Sequence, residues 1–322
     1  MLVSVLLFAV GLVMLIKGGD WFVDGASGIA RRFRLPDIVV GATVVSIGTT
    51  LPEVMVSTTG ALQGSGAMAY GNAIGSIICN TALIAAISIA VNPGPVNVKS
   101  MKTPVIFFFA SAAVYCLAAY CLGTFPRWMG FVMLAIFLTY TVITVRSGMK
   151  NPDPGEAEEE TPPRKLWKEL LLLVAGAAVI AVGADFLVEH GQIIALKLGV
   201  PATVVALLFV ALGTSLPELV TTITALKKGR ASLGIGNVIG ANVFNLVLVS
   251  GVSVSIAPFD VPVDNTLLGT GINLSLVLDI PVMIGVMALL VVPALLGKKM
   301  SRWQGILLLC VYAAFIVCQF VL

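Results

Sequence analysis

Two glutamates close nearly identical apolar phrases. Glu53 ends GTTLPE (48–53) and Glu218 ends GTSLPE (213–218). A carboxylate beside hydroxyls and a proline can build an oxygen-lined cation site. Within a helix, Pro52 cannot donate a hydrogen bond and crowds the carbonyl four residues back, that of Gly48. Glycine there adds backbone freedom, and the carbonyl of Thr49 is next in line. Thr49 and Thr50 lie four and three residues before Glu53, so the three share a helical face. Thr214, Ser215, Pro217 and Glu218 repeat the device.

A lone carboxylate at bilayer depth costs at least about 2.5 kcal/mol. Two that converge also repel each other. A bound cation answers both problems, and protonation is the other way out. A protonated glutamate capping a broken helix would explain one such phrase, but two matched copies point to a cation site. GNAIGSIICN (71–80) and GNVIGANVFN (236–245) supply a second wall. Ser76 and Asn80 are four residues apart on one face, and Asn245 matches Asn80. Asn72 and Asn237 are expected to cap helix starts. Gly71, Gly75, Gly236 and Gly240 are expected to permit close helix approach.

The candidate ligands are all oxygen, which suits Ca2+ or Na+ better than Zn2+ or Cu+. His190 reads as an interfacial residue, and Cys79 points about 100° away from Asn80. The cysteines, Cys79, Cys116, Cys121, Cys310 and Cys318, lack metal-type spacing and read as apolar fillers.

The elements that must hold these residues are membrane helices. The 322 residues are 58% hydrophobic and 11% charged. A soluble domain carries about 25% charged residues. Apolar runs near the length that crosses the hydrocarbon core predict helices at 2–25, 36–62, 70–91, 103–122, 126–146, 167–189, 200–226, 234–256, 280–297 and 304–322. The ninth is started after Asp279 to keep that carboxylate out of the membrane. The short alternating segments of a β-barrel are not seen. Without a basic leader, the first run reads as a retained helix and not as a cleaved signal.

With both termini outside, 16 of the 19 Lys and Arg residues fall in or beside the odd-numbered loops, which predicts those loops to be cytoplasmic. The acidic, proline-rich segment 151–166 reads as a cytoplasmic linker between halves 1–150 and 167–322. It lacks the spacing of a Ca2+ loop.

The halves superimpose in sequence at an offset of 165 residues without a gap from Asp20 to Asn80, pairing Glu53 with Glu218 and Asn80 with Asn245. Five helices per half give the equivalent helices opposite orientations. The predicted fold is an all-α integral membrane protein of ten helices in two inverted five-helix repeats, with the key segments near 36–91 and 200–256. Such an architecture is associated with secondary transporters that bind substrate at the repeat interface.

The paired GTTLPE…GNAIGS and GTSLPE…GNVIGA segments resemble the α-repeats of the cation/Ca2+ exchanger superfamily, most closely those of prokaryotic Na+/Ca2+ exchangers. The motifs cover about Gly41–Asn80 and Ala206–Asn245, and the ten-helix plan covers the chain. The resemblance implies an antiporter in a prokaryotic plasma membrane that exchanges one Ca2+, outward, for typically three Na+. It implies Glu53 and Glu218 as the Ca2+ carboxylates, with the Thr49 and Thr214 carbonyls completing the shell. It places Na+ against the Ser46 and Ala211 carbonyls with Thr50, Ser215 and Ser76. It also implies that the first and sixth helices slide across the rest.

Asn245 stands where some relatives have Asp, Ala241 where some have Ser, Thr50 for a Ser and Ser46 for a small apolar residue. Two carboxylates balance one Ca2+, three Na+ would leave one positive charge, and K+ co-transport is not expected. Ca2+ and Na+ are the implied substrates. No cofactor, enzymatic activity or nucleic-acid partner is expected, and the oligomeric state is not read. Ca2+/H+ antiport and a Ca2+-selective channel are the alternatives. The hydroxyls of Thr50 and Ser215 favour Na+ over H+. A channel commonly builds its carboxylate ring on an oligomeric axis, which the repeat here does not require. No nucleophile–base pair supports an intramembrane enzyme. Asp20 and Asp185 read equally as ion-access or anchoring residues.

Overall fold

A computed structural model describes residues 2–64, 66–150, 165–198, 213–261 and 273–321. The described residues form α1 (Leu2–Phe33), α2 (Asp37–Leu62), α3 (Met68–Val91), α4 (Val98–Leu122), α5 (Arg127–Lys150), α6 (Leu166–Lys197), α7 (Leu216–Lys227), α8 (Ala231–Ile256), α9 (Ser275–Gly297) and α10 (Arg302–Val321). Large apolar side chains such as Val13, Met55, Leu138, Val174 and Leu296 are exposed around the bundle, as lipid contact requires.

Among the described residues nine helices are long and apolar enough to span. The seventh expected span, 200–226, falls partly outside them, as does most of the linker 151–166. Loop pairing supplies the missing crossing. β1 (Gly94–Pro95) pairs with β4 (Lys299–Met300), and β2 (Thr124–Phe125) pairs with β3 (Phe259–Asp260). β1 follows α3 and β4 follows α9, so an even number of crossings must separate them. That holds only if the chain also crosses at α7. The fold is thus a ten-helix, inverted-repeat membrane bundle.

Several helix limits differ from the sequence expectation. α1 runs to Phe33 instead of 25, and α6 to Lys197 instead of 189. Their polar ends stay helical because the two helices lie against each other along most of their length. A Cβ on Gly11 would meet Gly183 O at 2.8 Å, and one on Gly25 would meet Glu169 O at 2.6 Å. Gly11 and Gly18 are the repeat mates of Gly176 and Gly183, so the contact is built twice, in antiparallel sense. Gly176→Val should therefore lower the monodisperse yield in size-exclusion chromatography by several fold, because its Cβ would sit 2.5 Å from Phe22 N. A wild-type yield would show that the helices can separate.

α4 starts at Val98 instead of 103, where the Asn97 side chain accepts a hydrogen bond from Ser100 N at 3.2 Å. The expectation that α9 begins after Asp279 was wrong. Asp279 lies inside the helix, at the end of a π-helical segment, and accepts a hydrogen bond from Gln319 Nε2 at 2.7 Å. A partner on α10 offsets the burial that argued against this placement.

The apolar interior has two parts. One, with Ile77, Phe108, Tyr115, Tyr140, Phe244 and Met287, joins α3, α4, α5, α8 and α9. The other, with Leu15, Phe22, Val23 and Ile180, joins α1 and α6 to the start of α2 and to α7. Gly64 and Gly229, repeat mates, take φ of +77° and +72° in the turns after α2 and α7, a conformation that favours glycine.

Candidate cation site

The two walls of the site are α2 with α3, and α7 with α8. Pro52 sits inside α2, whose start is π-helical over Gly41–Val45. Tyr140 Oη donates to the loosened Ala42 carbonyl at 2.7 Å. The second copy is more open. The helix is interrupted by a turn at Thr214 and Ser215, and Pro217 then falls in the first turn of α7. Proline is unstrained there, and the helix N-terminus favours the Glu218 carboxylate. The sequence expectation of one device built twice is therefore only partly realised.

In α3 and α8 the backbone widens at equivalent places. π-helical turns begin at Asn80 and at Asn245, repeat mates. Such turns recur at functional sites because they re-aim side chains and free carbonyls.

Glu53 and Glu218 are both fully buried. Their carboxylates are near enough for the charge of Glu218 to act on Glu53. The hydroxyls of Thr49 and Thr50 lie beside the Glu218 carboxylate. Neither carboxylate faces lipid.

Buried polar groups are nearly always hydrogen-bonded, and leaving one unmade costs about 1–3 kcal/mol. Here both carboxylate oxygens of Glu53 and of Glu218, the hydroxyls of Thr50 and Ser215, and the whole amides of Asn80 and Asn245 are buried without a hydrogen-bond partner. These are three repeat-mate pairs. A cation bound among them would satisfy carboxylate, hydroxyl and amide oxygens together. Among the described residues no group of three or more His, Cys, Asp or Glu side chains could hold a metal, so charge comes from two carboxylates and the rest from neutral oxygens.

The remaining candidates are engaged with protein. Ser46 Oγ donates to Gly41 O at 2.8 Å and to Asn237 O at 2.9 Å. Thr49 Oγ1 donates to Asn237 Oδ1 at 3.1 Å. Thr214 Oγ1 donates to Asn72 Oδ1 at 3.2 Å and lies 3.5 Å from Ser76 Oγ. The hydroxyls of Thr49 and Thr214 are thus used structurally, which leaves their carbonyls for an ion. Ala211 lies outside the described residues.

Asn72 and Asn237 are not caps. They lie inside α3 and α8, past the first turn of each, and their amides reach across to neighbouring helices. No local spacing could reveal this, because each acceptor serves a residue more than 140 positions away in sequence. Close helix approach holds at Gly236, against Ile38, and at Gly240, against Ala42 and Ser46, but not at Gly71 or Gly75, where a Cβ would meet nothing within 4 Å among the described residues. Cys79 lies against Ser215 and Tyr312. Asp20, midway along α1, pairs with Lys228 at 3.5 Å, beside a 2.6 Å pair between Lys228 and Asp24, at the C-terminal end of α7.

Inverted five-helix repeats meeting at paired buried carboxylates define a membrane transporter rather than an enzyme. The Sodium/calcium exchanger protein family matches residues 3–146 and 168–321. The chain belongs to that family. It is 31% identical to Sodium/calcium exchanger MaX1 of Methanosarcina acetivorans over 99% of each chain. It is 32% identical to Inner membrane protein YrbG of Escherichia coli, over 81% of this chain and 82% of that one. A solved structure of the sodium-calcium exchanger NCX_Mj, soaked with 2.5 mM Na+ and 10 mM Sr2+, superimposes with a TM-score of 0.81, at 32% identity and 98% coverage of both chains.

Proposed function

We propose that this chain is a Na+/Ca2+ antiporter that moves Ca2+ out of a prokaryotic cell, three Na+ entering for each Ca2+, by alternating access. The observation that carries this reading is the set of three buried, unpartnered repeat-mate pairs, Glu53/Glu218, Thr50/Ser215 and Asn80/Asn245. Ca2+ takes six to eight oxygen ligands of mixed type at flexible geometry, which suits this mixture.

In this reading Glu53 and Glu218 hold Ca2+, with the Thr49 and Thr214 carbonyls. Na+ occupies adjoining positions near Thr50, Ser215, Ser76, Asn80, Asn245 and the carbonyls of Ser46 and Ala211. The shared carboxylates make binding of the two ions competitive. That competition couples them. The halves are 1–150 and 167–322, with 151–166 a cytoplasmic linker and both termini outside.

The test is uptake of radiolabelled Ca2+ into proteoliposomes with Na+ and pH gradients imposed separately. Internal Na+ should drive uptake, at least about tenfold above a Na+-free control, with no requirement for a pH gradient. Uptake driven by the pH gradient alone would establish Ca2+/H+ exchange instead. Ca2+ currents that need no counter-ion would establish a channel.

A further inference from the structure

The two asparagines that the sequence placed at helix starts form a crossed pair of contacts. Thr49, in the first half, donates to Asn237 of the second. Thr214, in the second half, donates to Asn72 of the first. Asn72 also turns its Nδ2 to the Glu53 carbonyl at 3.1 Å and to Ser57 Oγ at 2.8 Å. Asn237 receives Ser46 as well, through its own carbonyl at 2.9 Å. Each asparagine therefore touches the phrase of the opposite half, next to a carboxylate-bearing turn.

We infer that Asn72 and Asn237 are positioning residues: each holds the threonine of the opposite half so that its peptide carbonyl faces the cation. The mechanism is geometric. Pro52 has no N–H to meet the Gly48 carbonyl, and a turn breaks the helix at Thr214, so the backbone entering each threonine is freer to rotate. A side-chain hydroxyl fixed on its β-carbon limits that rotation. The acceptor belongs to the other half, so the two carbonyls are aligned together only when the halves are docked. In the apolar interior such a hydrogen bond is not weakened by competing water. The inference rests on the reading of Thr49 and Thr214 as carbonyl ligands to Ca2+.

The experiment is a pair of double-mutant cycles on the full chain in proteoliposomes, reading the Ca2+ concentration for half-maximal Na+-driven uptake. Thr49→Val and Asn237→Ala should each raise that concentration by about tenfold, in line with a buried acceptor or donor losing its partner. The double variant should go little further, because the contact is lost only once. Thr49→Val combined with Asn72→Ala, which do not touch, should multiply. Thr49→Ser, which keeps the hydroxyl, should fall closer to wild type than Thr49→Val does. If an asparagine variant fails to fold, this Val-against-Ser comparison still decides.

Multiplicative effects in both cycles would overturn the inference. So would a lowered melting temperature with unchanged Ca2+ half-saturation, which would leave the contacts purely structural. If the wild-type chain shows no saturable Ca2+ uptake, the underlying reading fails first and this inference falls with it, a result visible before any variant is compared.

Discussion

Glu53→Gln or Glu218→Gln should abolish Na+-driven Ca2+ uptake while leaving the purified chain folded. Glutamine keeps the shape and removes the charge. Both carboxylates are fully buried, and neither has a hydrogen-bond partner in the protein, so no neighbouring cation can take the place of the missing charge. A divalent ion would then face one carboxylate in a dry interior. Breaking a buried charge pair on one side costs about 3–5 kcal/mol, which corresponds to at least about a hundredfold loss of Ca2+ affinity. The fold should tolerate the change, because an amide is easier to bury than a carboxylate. Asp279→Asn is the control: it alters an intramembrane carboxylate paired with Gln319, away from the site, and should retain uptake. Radiolabelled Ca2+ uptake, with size-exclusion profiles for folding, reads all three variants. Wild-type-like uptake in both glutamate variants would remove the site assignment.

Arg230→Met should lower the melting temperature by about 5–10 °C, and the double variant Asp37→Asn/Arg230→Met should recover most of the loss. Arg230 Nη1 donates to both oxygens of Asp37 at 2.9 Å, and the two residues are only 5% and 6% exposed. Removing the guanidinium leaves a buried carboxylate without it, a loss of about 3–5 kcal/mol. Scaled as for soluble chains of comparable size, that is several degrees or more. Removing both charges restores a neutral contact, and buried ion pairs are often replaceable in this way. A thermal unfolding series in detergent separates the cases. If the double variant melts as low as the single one, the contribution of Arg230 is contact area and not charge.

Much of the site could be read from the sequence because it was written twice. Glu53 and Glu218, Thr50 and Ser215, and Asn80 and Asn245 follow from register alone, and the structure buries all six side chains, with the charge of Glu218 reaching Glu53. What could not be read depended on distance in sequence or on tertiary support. Asn72 and Asn237 carry the signature of a cap, yet their partners lie on the other half. The cost of a buried carboxylate argues Asp279 out of the membrane, because its partner, Gln319, sits 40 residues on and leaves no local sign. The last turns of α1 look too polar to continue, but Gly25 and Gly28 pack closely against Glu169 and Leu173 of α6 and hold that end against its neighbour. The opening of α7 at Thr214 and Ser215, where α2 stays continuous, is a difference between copies that near-identical phrases could not announce.

The halves share much of their sequence register but not their charges. Asp37 and Arg230 have as counterparts Ala202 and Ser65, and Lys228 has Gln63, whereas Asp20 and Asp24 keep acids at Asp185 and Glu189. A rearrangement that parts the helices at the Arg230 end must break a clasp that these counterparts cannot form at the opposite end. The pseudo-twofold of the bundle offers two shapes related by rotation, and a handful of unshared side chains gives that balance a thermodynamic tilt.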